Sequence, residues 1–377
     1  MQHPGQLIGR RVFLSALLLP AVPVASAPAV WPMFRGASPR QMGLAEGRLA
    51  ANPRLAWKAK TTAAISSSPV ADGKRVYVGS MDMSIYAFER ATGKQAWALK
   101  TKGEIEAPPT LVGDALVVGS ADGFLYCLDA ARGTIRWKYK TDDKIAGAAN
   151  AVAAPKGGGH WLVVGSYDAK VHCVDLKTGK PQWTFETGNY VNGAPAISDG
   201  KVIFGGCDGT LYVLRLLDGK RIGGVDIQSY IAGSAAVDGA LAYVGHYGNE
   251  FVCANVVSGS VVWTYRDKAF PFFSSPAVTA DRIIVGSRDR RLHCLDRRTG
   301  KALWTARTRG KVDSSPVICD GKIVVGSEDG RLYLFDLKSG KEVWSYQIGK
   351  PVISTPAVVD GQIYIGSDDG YLYAFRA

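Results

Sequence analysis

A Gly-Ser dipeptide or a close variant of it recurs eight times along the chain. It begins at Gly79, Gly119, Gly165, Gly205, Gly245, Gly286, Gly326 and Gly366. The steps between these positions are 40, 46, 40, 40, 41, 40 and 40 residues. A fixed period of about 40 residues is typical of an array of equal supersecondary units that pack against their neighbours. No other feature constrains the fold of this chain as strongly.

Residues 312–348 show what one unit builds. An apolar stretch with a proline in it is followed by an Asp-Gly turn and by three further apolar stretches, which are separated by glycine-containing turns. We therefore predict four antiparallel strands, over 312–318, 322–327, 331–336 and 342–347. A four-stranded sheet that is apolar on both faces must be covered on both sides, which is how propeller blades pack.

The two ends of the chain complement each other. The last repeat stops at Ala377 after its third strand, and 55–60 has the pattern of an isolated fourth strand. A blade built from both termini would close a ring and remove its open edges. The sequence thus predicts an all-β, eight-bladed β-propeller of four-stranded antiparallel blades over 55–377, preceded by an extended segment over 30–54.

A tryptophan stands at the same place in seven of the eight repeats, and Gly223 replaces the eighth. These residues are Trp57, Trp97, Trp137, Trp183, Trp263, Trp304 and Trp344. Buried indole rings remove roughly 150–250 Å² each from water. A residue that repeats with the fold meets a repeated structural need, so we predict that the seven rings dock neighbouring blades.

The first 29 residues have the pattern of an export signal. Two adjacent arginines at positions 10 and 11 precede a short apolar stretch and the small residues at 25–27. The arginine pair favours a twin-arginine signal, and a Sec-type signal is the alternative. Cleavage after Ala27 and cleavage after Ala29 are both compatible with the sequence.

The cysteines indicate neither a lipid anchor nor a disulfide framework. None precedes Cys127, so we expect a periplasmic or secreted protein that is not lipid-anchored. Four of the six lie at one repeat position, which places them roughly 10 Å apart in neighbouring sheets, beyond the limit of about 7 Å between bridged Cα atoms. These four are Cys127, Cys173, Cys253 and Cys294.

Positive charge is concentrated in one repeat. The formal net charge is +12, and residues 288–311 contain nine basic residues against two aspartates. Export and the absence of a recognition helix argue against nucleic acid as the partner. Anionic polysaccharide or lipid headgroups are one explanation of the cluster, and solvated turns are the other.

The repeats resemble a known family. A Leu-Asp or Phe-Asp pair, a Thr/Ser-Gly-Lys turn and a tryptophan follow one another in several repeats, as from Leu128 to Trp137, from Leu295 to Trp304 and from Phe335 to Trp344. This order resembles the tryptophan-docking repeat of the pyrroloquinoline-quinone (PQQ) propellers, and the segment 31–36 resembles one that often opens such domains.

The resemblance implies two possible functions. Quinoprotein dehydrogenases of this superfamily bind PQQ and calcium and generally carry two adjacent cysteines, which this sequence lacks. BamB-like propellers lack the cofactor apparatus and are envelope binding platforms in outer-membrane protein assembly. The size and blade count favour the BamB-like branch, hence a non-enzymatic scaffold without a cofactor. A PQQ- and calcium-dependent dehydrogenase and a polysaccharide-binding propeller are the alternatives.

The loops that enter the innermost strands supply the candidate metal ligands. Aligning the repeats gives one row: Ser66, Glu106, Ala146, Asn192, Ala232, Phe273, Asp313 and Ile353. Glu106, Asn192 and Asp313 carry the oxygen atoms that calcium prefers. They belong to the second, fourth and seventh repeats, so we do not expect them to share an ion.

Aromatic residues on the same side of the third to sixth repeats supply the candidate binding site. They are Tyr167, Tyr190, Tyr230, Tyr247, Phe270, Phe272 and Phe273, with Arg288 beside them. Such a composition is typical of protein-binding hot spots, and we predict that an extended polypeptide or another envelope protein binds here. The alternative is that these rings plug the mouth of the channel. We predict no catalytic residue, because His246 has no partner at a triad spacing.

Overall fold

The computed structural model describes Met1 and residues 30–377, and within them every regular element is a β-strand. The 32 strands form eight four-stranded sheets, in which neighbouring strands are antiparallel. The predicted all-β eight-bladed propeller is confirmed. The predicted export signal lies, Met1 apart, outside the described residues. In the described part of the chain, no helix is present that could cross a membrane.

Blades 1 to 4 follow one another along the chain. Blade 1 contains β2 (Val70–Ala71), β3 (Arg75–Ser80), β4 (Ser84–Glu89) and β5 (Gln95–Lys100). Blade 2 contains β6 (Thr110–Val112), β7 (Ala115–Gly119), β8 (Phe124–Asp129) and β9 (Ile135–Lys140). Blade 3 contains β10 (Asn150–Ala153), β11 (His160–Gly165), β12 (Lys170–Asp175) and β13 (Pro181–Glu186). Blade 4 contains β14 (Ala196–Ser198), β15 (Lys201–Gly205), β16 (Thr210–Arg215) and β17 (Arg221–Asp226).

Blades 5 to 8 continue the ring. Blade 5 contains β18 (Ala236–Asp238), β19 (Leu241–Gly245), β20 (Phe251–Asn255) and β21 (Ser260–Tyr265). Blade 6 contains β22 (Ala277–Val278), β23 (Arg282–Ser287), β24 (Arg291–Asp296) and β25 (Ala302–Arg307). Blade 7 contains β26 (Val317–Cys319), β27 (Lys322–Ser327), β28 (Arg331–Asp336) and β29 (Glu342–Gln347). Blade 8 contains β30 (Ala357–Val359), β31 (Gln362–Gly366), β32 (Tyr371–Arg376) and, from the other end of the chain, β1 (Arg54–Lys60).

Blade 8 closes the ring as predicted. Strand β1 pairs with β32 in antiparallel register, with Trp57 opposite Ala374 and Lys58 opposite Tyr373. Because the N-terminal strand completes a sheet begun by the C-terminal strands, neither end of the array is left as an open edge.

The innermost strands are shorter than predicted. In blade 7 the expected strand over 312–318 is reduced to 317–319, whereas the other three strands have the predicted bounds. The residues before it bond to the next blade instead: Ser314 Oγ donates to the Ser354 carbonyl at 2.8 Å, and Ser315 N–H to Thr355 Oγ1 at 3.3 Å. Ser314 Oγ also accepts from the Gly326 N–H of β27 at 3.0 Å, so this residue links its own blade to the next one.

Tryptophans dock each blade onto the next. Six of the seven donate their Nε1–H to a main-chain carbonyl of the following blade at 2.8–3.2 Å. The glycine of the Thr/Ser-Gly-Lys turn lies against the ring. At Gly340, where φ is +70°, an added Cβ would lie 2.5 Å from the Trp304 ring, so a side chain has no room there. Trp344 instead packs edge-on against Phe375, with ring centroids 5.6 Å apart.

The segment 31–49 seals one end of the channel, which we call the base face. Its main chain is hydrogen-bonded to the innermost strands of blades 1, 2, 4, 5, 6 and 7, and the Asn150 side chain of blade 3 bonds to it as well. Arg35 lies within this segment and is 1% exposed. Its guanidinium donates to the carbonyls of Pro316, at 2.7 Å, and Pro276. Burial lowers the pKa of Arg35 to about 9, and in the described chain no carboxylate lies within ion-pair distance of it.

Candidate functional site

The opposite end, the mouth face, is built from two rows of loop residues. The inner row is the predicted one, from Ser66 to Ile353. The outer row holds the residue that follows each Gly-Ser-type turn: Met81, Ala121, Tyr167, Cys207, Tyr247, Arg288, Glu328 and Asp368. Six residues of the inner row, together with Phe34 from below, line a channel cavity of about 180 Å³. In three cases the side chain of an outer-row residue contacts the inner row of the next blade, twice through hydrogen bonds and once through ring packing.

The first of these contacts joins blades 3 and 4. Tyr167 donates its hydroxyl to Asn192 Oδ1 at 2.8 Å, and Asn192 Nδ2 donates to the Ala232 carbonyl at 2.9 Å. The Tyr167 ring stacks on Tyr190, with centroids 4.9 Å apart and planes inclined by 14°. Lys144 Nζ lies 4.3 Å from the Tyr167 centroid, a cation–π distance. Tyr167 is therefore held in one orientation.

The second and third contacts join blades 5, 6 and 7. Tyr247 packs on Phe273 with centroids 4.3 Å apart. The guanidinium carbon of Arg288 lies 3.8 Å from the Phe273 centroid. Arg288 also pairs with Asp313, with Nη2 to Oδ2 at 2.7 Å and Nε 3.1 Å from both carboxylate oxygens. Tyr230 meets Tyr247 edge-on at 6.1 Å.

Four of these aromatic side chains are half-exposed. The exposed fraction is 49% for Tyr190, 55% for Tyr230, 49% for Tyr247 and 47% for Phe270. Together with Tyr167 and Phe273 they form one sector of the mouth face, which we call the aromatic rim.

Phe272 does not belong to the aromatic rim, contrary to the prediction. It is 1% exposed and packs edge-on against Phe251 and His293, at 6.1 and 5.2 Å. Its place before blade 6 is that of Ile65 before blade 1: the Phe272 side chain covers Gly245 of blade 5 as Ile65 covers Gly366 of blade 8. Successive side chains of an extended chain point in opposite directions. Phe273 therefore faces the mouth and Phe272 faces the core.

The sequence analysis did not identify two residues of this sector. Lys144 precedes blade 3 at the repeat position that Tyr190 and Tyr230 occupy before blades 4 and 5, and this alignment could have indicated it. Cys207 follows the turn of blade 4, and its N–H donates to the Tyr190 carbonyl at 3.0 Å. Of the six free cysteines it alone is half-buried rather than buried. Burial raises the pKa of its thiol.

The candidate metal ligands do not form a calcium site. The amide of Asn192 is bonded on both sides, and the carboxylate of Asp313 is paired with Arg288. Glu106 is half-buried and is not among the residues that line the channel cavity with these two. One cation would need all of these oxygen atoms around it. Those of Asn192 and Asp313 are bonded to other groups of the protein, and Glu106 does not line the same cavity.

The channel does not suit PQQ with calcium either. Its cavity of about 180 Å³ is smaller than the roughly 300–1,000 Å³ of pockets that hold ligands of drug size. Four of the six inner-row residues that line the cavity are apolar: Ala146, Ala232, Phe273 and Ile353. Phe34 closes the cavity from below.

Among the described residues, one cluster has the composition of a metal site: Asp267, Asp289 and His293. His293 Nε2 lies 3.2 Å from Asp289 Oδ1, and Tyr265 OH 3.1 Å from His293 Nδ1. In other blades a tyrosine stands in place of this histidine and donates to the equivalent aspartate. The Arg291 guanidinium, 3.7 Å from Asp267 and 3.9 Å from Asp289, already provides the cluster with a positive charge.

Comparison with known proteins agrees with this geometry. The family model described as "Outer membrane protein assembly factor BamB" matches residues 46–159, 149–222, 208–315 and 267–377. The chain belongs to this family. The resemblance found in the docking repeats is confirmed. No curated protein matches the sequence.

Solved structures share the fold at low sequence identity. BamB from Moraxella catarrhalis is 19% identical with a TM-score of 0.70, over 86% of this chain and 98% of that one. A europium-containing methanol dehydrogenase is 14% identical with a TM-score of 0.77, over 93% and 99%. The quinohemoprotein alcohol dehydrogenase from Comamonas testosteroni is 14% identical with a TM-score of 0.77, over 92% and 80%. At these identities the likeness concerns the fold, which binding platforms and enzymes share.

Proposed function

We propose that this protein is an exported scaffold whose aromatic rim binds an extended segment of a partner protein in the cell envelope, during outer-membrane protein assembly. The observation that carries the proposal is the clustering of half-exposed aromatic side chains in one sector of the mouth face. Tyr190, Tyr230, Tyr247 and Phe270 are each about half-exposed, and large apolar rings that group together on a surface mark interaction sites.

The rim has the rigidity that a binding hot spot needs. Tyr167 is fixed by its hydrogen bond to Asn192 and by stacking on Tyr190. Phe273 is held between Tyr247 and the Arg288 guanidinium. Rings that are already ordered lose little conformational entropy on binding, and burial of apolar area contributes roughly 25 cal/mol per Å².

The other half of the mouth face lacks these features. At the outer-row position, blades 1, 2, 7 and 8 carry Met81, Ala121, Glu328 and Asp368. The repeat by itself therefore does not demand aromatic residues here. Their concentration in blades 3 to 6 supports a function of that sector rather than a need of the fold.

Family membership supports the envelope role. The family is described by a role in outer-membrane protein assembly, and a periplasmic location follows if the arginine-containing segment before residue 30 is an export signal. The poor fit of the channel to PQQ and calcium supports a scaffold rather than an enzyme. No observation on the mouth face favours a dehydrogenase.

Site-specific photo-crosslinking in cells tests the proposal. With a photo-reactive residue in place of Tyr230, we expect a crosslink to a protein of the outer-membrane assembly machinery. The triple substitution Tyr190→Ala, Tyr230→Ala and Phe273→Ala, tested by affinity capture from envelope extract, should abolish recovery of the same protein. Unchanged recovery by a folded triple variant would refute the proposed site.

A matched control removes exposed apolar side chains away from the mouth. Val262 and Leu303 on the outermost strands of blades 5 and 6 are 51% and 47% exposed. The double substitution Val262→Ala and Leu303→Ala removes exposed apolar side-chain atoms from the outer surface and should leave partner recovery unchanged.

A further inference from the structure

A basic pocket of about 610 Å³ lies on the mouth face beside the aromatic rim, around blade 6. Seven of the residues that line it are basic, and Asp289 and Phe270 line it as well. Three of these cations have carboxylate partners: Arg288 with Asp313, Arg291 with the Asp267/Asp289 pair, and Lys311 with Glu328. Within residues 30–377 no ion pair engages the other four, which are Lys268, Arg290, Arg307 and Arg309.

The strand register brings two of the arginines face to face. Arg291 of β24 is directly opposite Arg307 of β25. Like charges at opposed positions of a sheet destabilise it, and blade 6 alone among the eight described blades has such a pair at this position. In blade 3 the corresponding pair is Lys170 and Glu186, which have opposite charges. An anion between Arg291 and Arg307 would relieve the repulsion.

A one-residue insertion opens the pocket. The step from Lys268 to the inner-row residue Phe273 is five residues, whereas the equivalent step is four in the other repeats, as from Arg309 to Asp313. In blade 7 the Arg309 N–H donates to Asp329 Oδ2 at 2.8 Å. The longer loop before blade 6 makes no such bond, and the equivalent atom, Asp289 Oδ2, is buried without a hydrogen-bond partner.

The pocket thus combines three kinds of group. The guanidinium groups without a carboxylate partner can pair with an oxyanion. The Asp289 side chain is 2% exposed, and its Oδ2, 3.9 Å from Arg291 Nε, accepts no hydrogen bond from the described chain, so it can accept one from a hydroxyl group. The half-exposed ring of Phe270 offers an apolar face.

We propose that this pocket binds an acidic sugar, namely a uronate unit of an anionic saccharide. Its carboxylate pairs with the arginines, its hydroxyl groups act as donors towards Asp289, and the C–H face of its ring packs on Phe270. An acidic peptide side chain supplies only the first of these groups. A divalent cation is disfavoured because it would face at least four unpaired positive charges.

The inference shares Phe270 with the aromatic rim, but it can be tested apart from the proposed protein partner, because it depends on Arg307 and Arg309 and the partner depends on Tyr190 and Tyr230. Isothermal titration with trigalacturonate tests it, with neutral maltotriose and the equally charged peptide acetyl-(Glu)₃-amide as comparison ligands at constant ionic strength. We expect saturable binding of trigalacturonate, at least tenfold tighter than binding of either comparison ligand.

Variants locate the site. The double substitution Arg307→Glu and Arg309→Glu should weaken trigalacturonate binding at least tenfold, and Phe270→Ala should weaken it severalfold. Both arginines are exposed, so an unchanged melting temperature would show that the fold is retained. The control is Lys102→Glu with Arg132→Glu, which makes the same change of net charge at exposed residues outside blade 6 and should leave affinity within twofold.

Several results would overturn the inference. Equal affinity for the glutamate peptide would show that the pocket recognises charge alone, and equal affinity for maltotriose would show that charge is irrelevant. Failure of trigalacturonate to bind, or binding that survives in the Arg307→Glu, Arg309→Glu variant, would also contradict it. So would co-sedimentation with phosphatidylglycerol vesicles in the absence of saccharide binding.

Discussion

The two faces of the propeller differ in how far their polar and apolar groups are buried and paired. On the base face, the segment 31–49 meets the innermost strands with main-chain hydrogen bonds, and even Arg35 is completely buried. On the mouth face, large rings such as Tyr230 and Phe270 remain half-exposed, and cations such as Arg309 have no carboxylate partner in the described chain.

This contrast separates stability from binding. An interior filled by the protein's own chain stabilises the fold and leaves no room for a ligand. A rigid surface with unsatisfied rings and charges adds little to stability but can bind a partner. Substitutions that affect the free energy of unfolding should therefore cluster at the base and in the core, and substitutions that affect only binding should cluster at the mouth.

The largest expected effect on stability comes from comparing two phenylalanines of one loop, one in the core and one on the mouth face. Phe272→Ala should lower the free energy of unfolding by about 4 kcal/mol, because it opens a cavity in the core. Phe270→Ala, two residues away and half-exposed, should change it by less than about 0.5 kcal/mol. Denaturant unfolding of both variants measures the difference. Similar losses for the two would show that the loop is packed as one unit and that the rim is not a separate surface.

The second prediction compares one arginine from each face. Arg35→Ala should lower the free energy of unfolding by about 3 kcal/mol, since two buried carbonyls lose their donors and a cavity opens. Arg309→Ala at the mouth should change it by less than about 0.5 kcal/mol. The same denaturation experiment applies. If Arg35→Ala unfolds at the wild-type denaturant concentration, the segment 31–49 does not stabilise the propeller.

The third prediction concerns pH and a buried residue of the mouth face. His246 is 2% exposed, and its Nδ1 accepts the Gly248 N–H at 3.1 Å. Burial lowers the pKa of His246, so below its ordinary value of about 6.5 the unfolded chain binds more protons than the folded one. Stability should fall as pH decreases below about 6.5, by at most about 1.4 kcal/mol per pH unit from this residue.

The substitution His246→Asn should remove this part of the pH dependence, because an amide oxygen can accept the same N–H without titrating. Thermal melts of both proteins between pH 7.5 and 5 provide the measurement. Parallel curves for wild type and variant would contradict the assignment to His246.

The smallest expected effect concerns the accessibility of a cysteine thiol to a reagent. Cys207 at the mouth is the only half-buried cysteine, and the other five are buried. A small thiol reagent should label Cys207 in the native protein, slowly because burial raises the pKa of its thiol. Cys207→Ser should abolish native labelling and change stability by less than about 0.5 kcal/mol. Labelling of two or more cysteines under native conditions would show that the mouth opens into the core.

Local sequence patterns predicted the strands that recur in every repeat. They did not predict the contacts between residues of neighbouring blades. The predicted strands over 322–327, 331–336 and 342–347 are observed, because alternation and turn residues act over a few positions. The innermost strand was predicted too long, since its polar groups bond across blades. Phe272 is buried although we predicted it at the surface, because it occupies the core-facing position directly before the inner row, which Ile65 fills before blade 1.

The order of chain segments determined the architecture. Eight equal units with a spare strand at one end and a missing strand at the other can bury their faces and edges only in a closed ring, and this follows from the linear sequence. Tertiary structure decided the contacts at the mouth and base: that Arg288 joins Phe273 to Asp313, that Arg35 has no carboxylate partner in the described chain, and that Arg291 faces Arg307. These contacts join residues from different units, and their distances depend on how the sheets pack rather than on spacing along the chain.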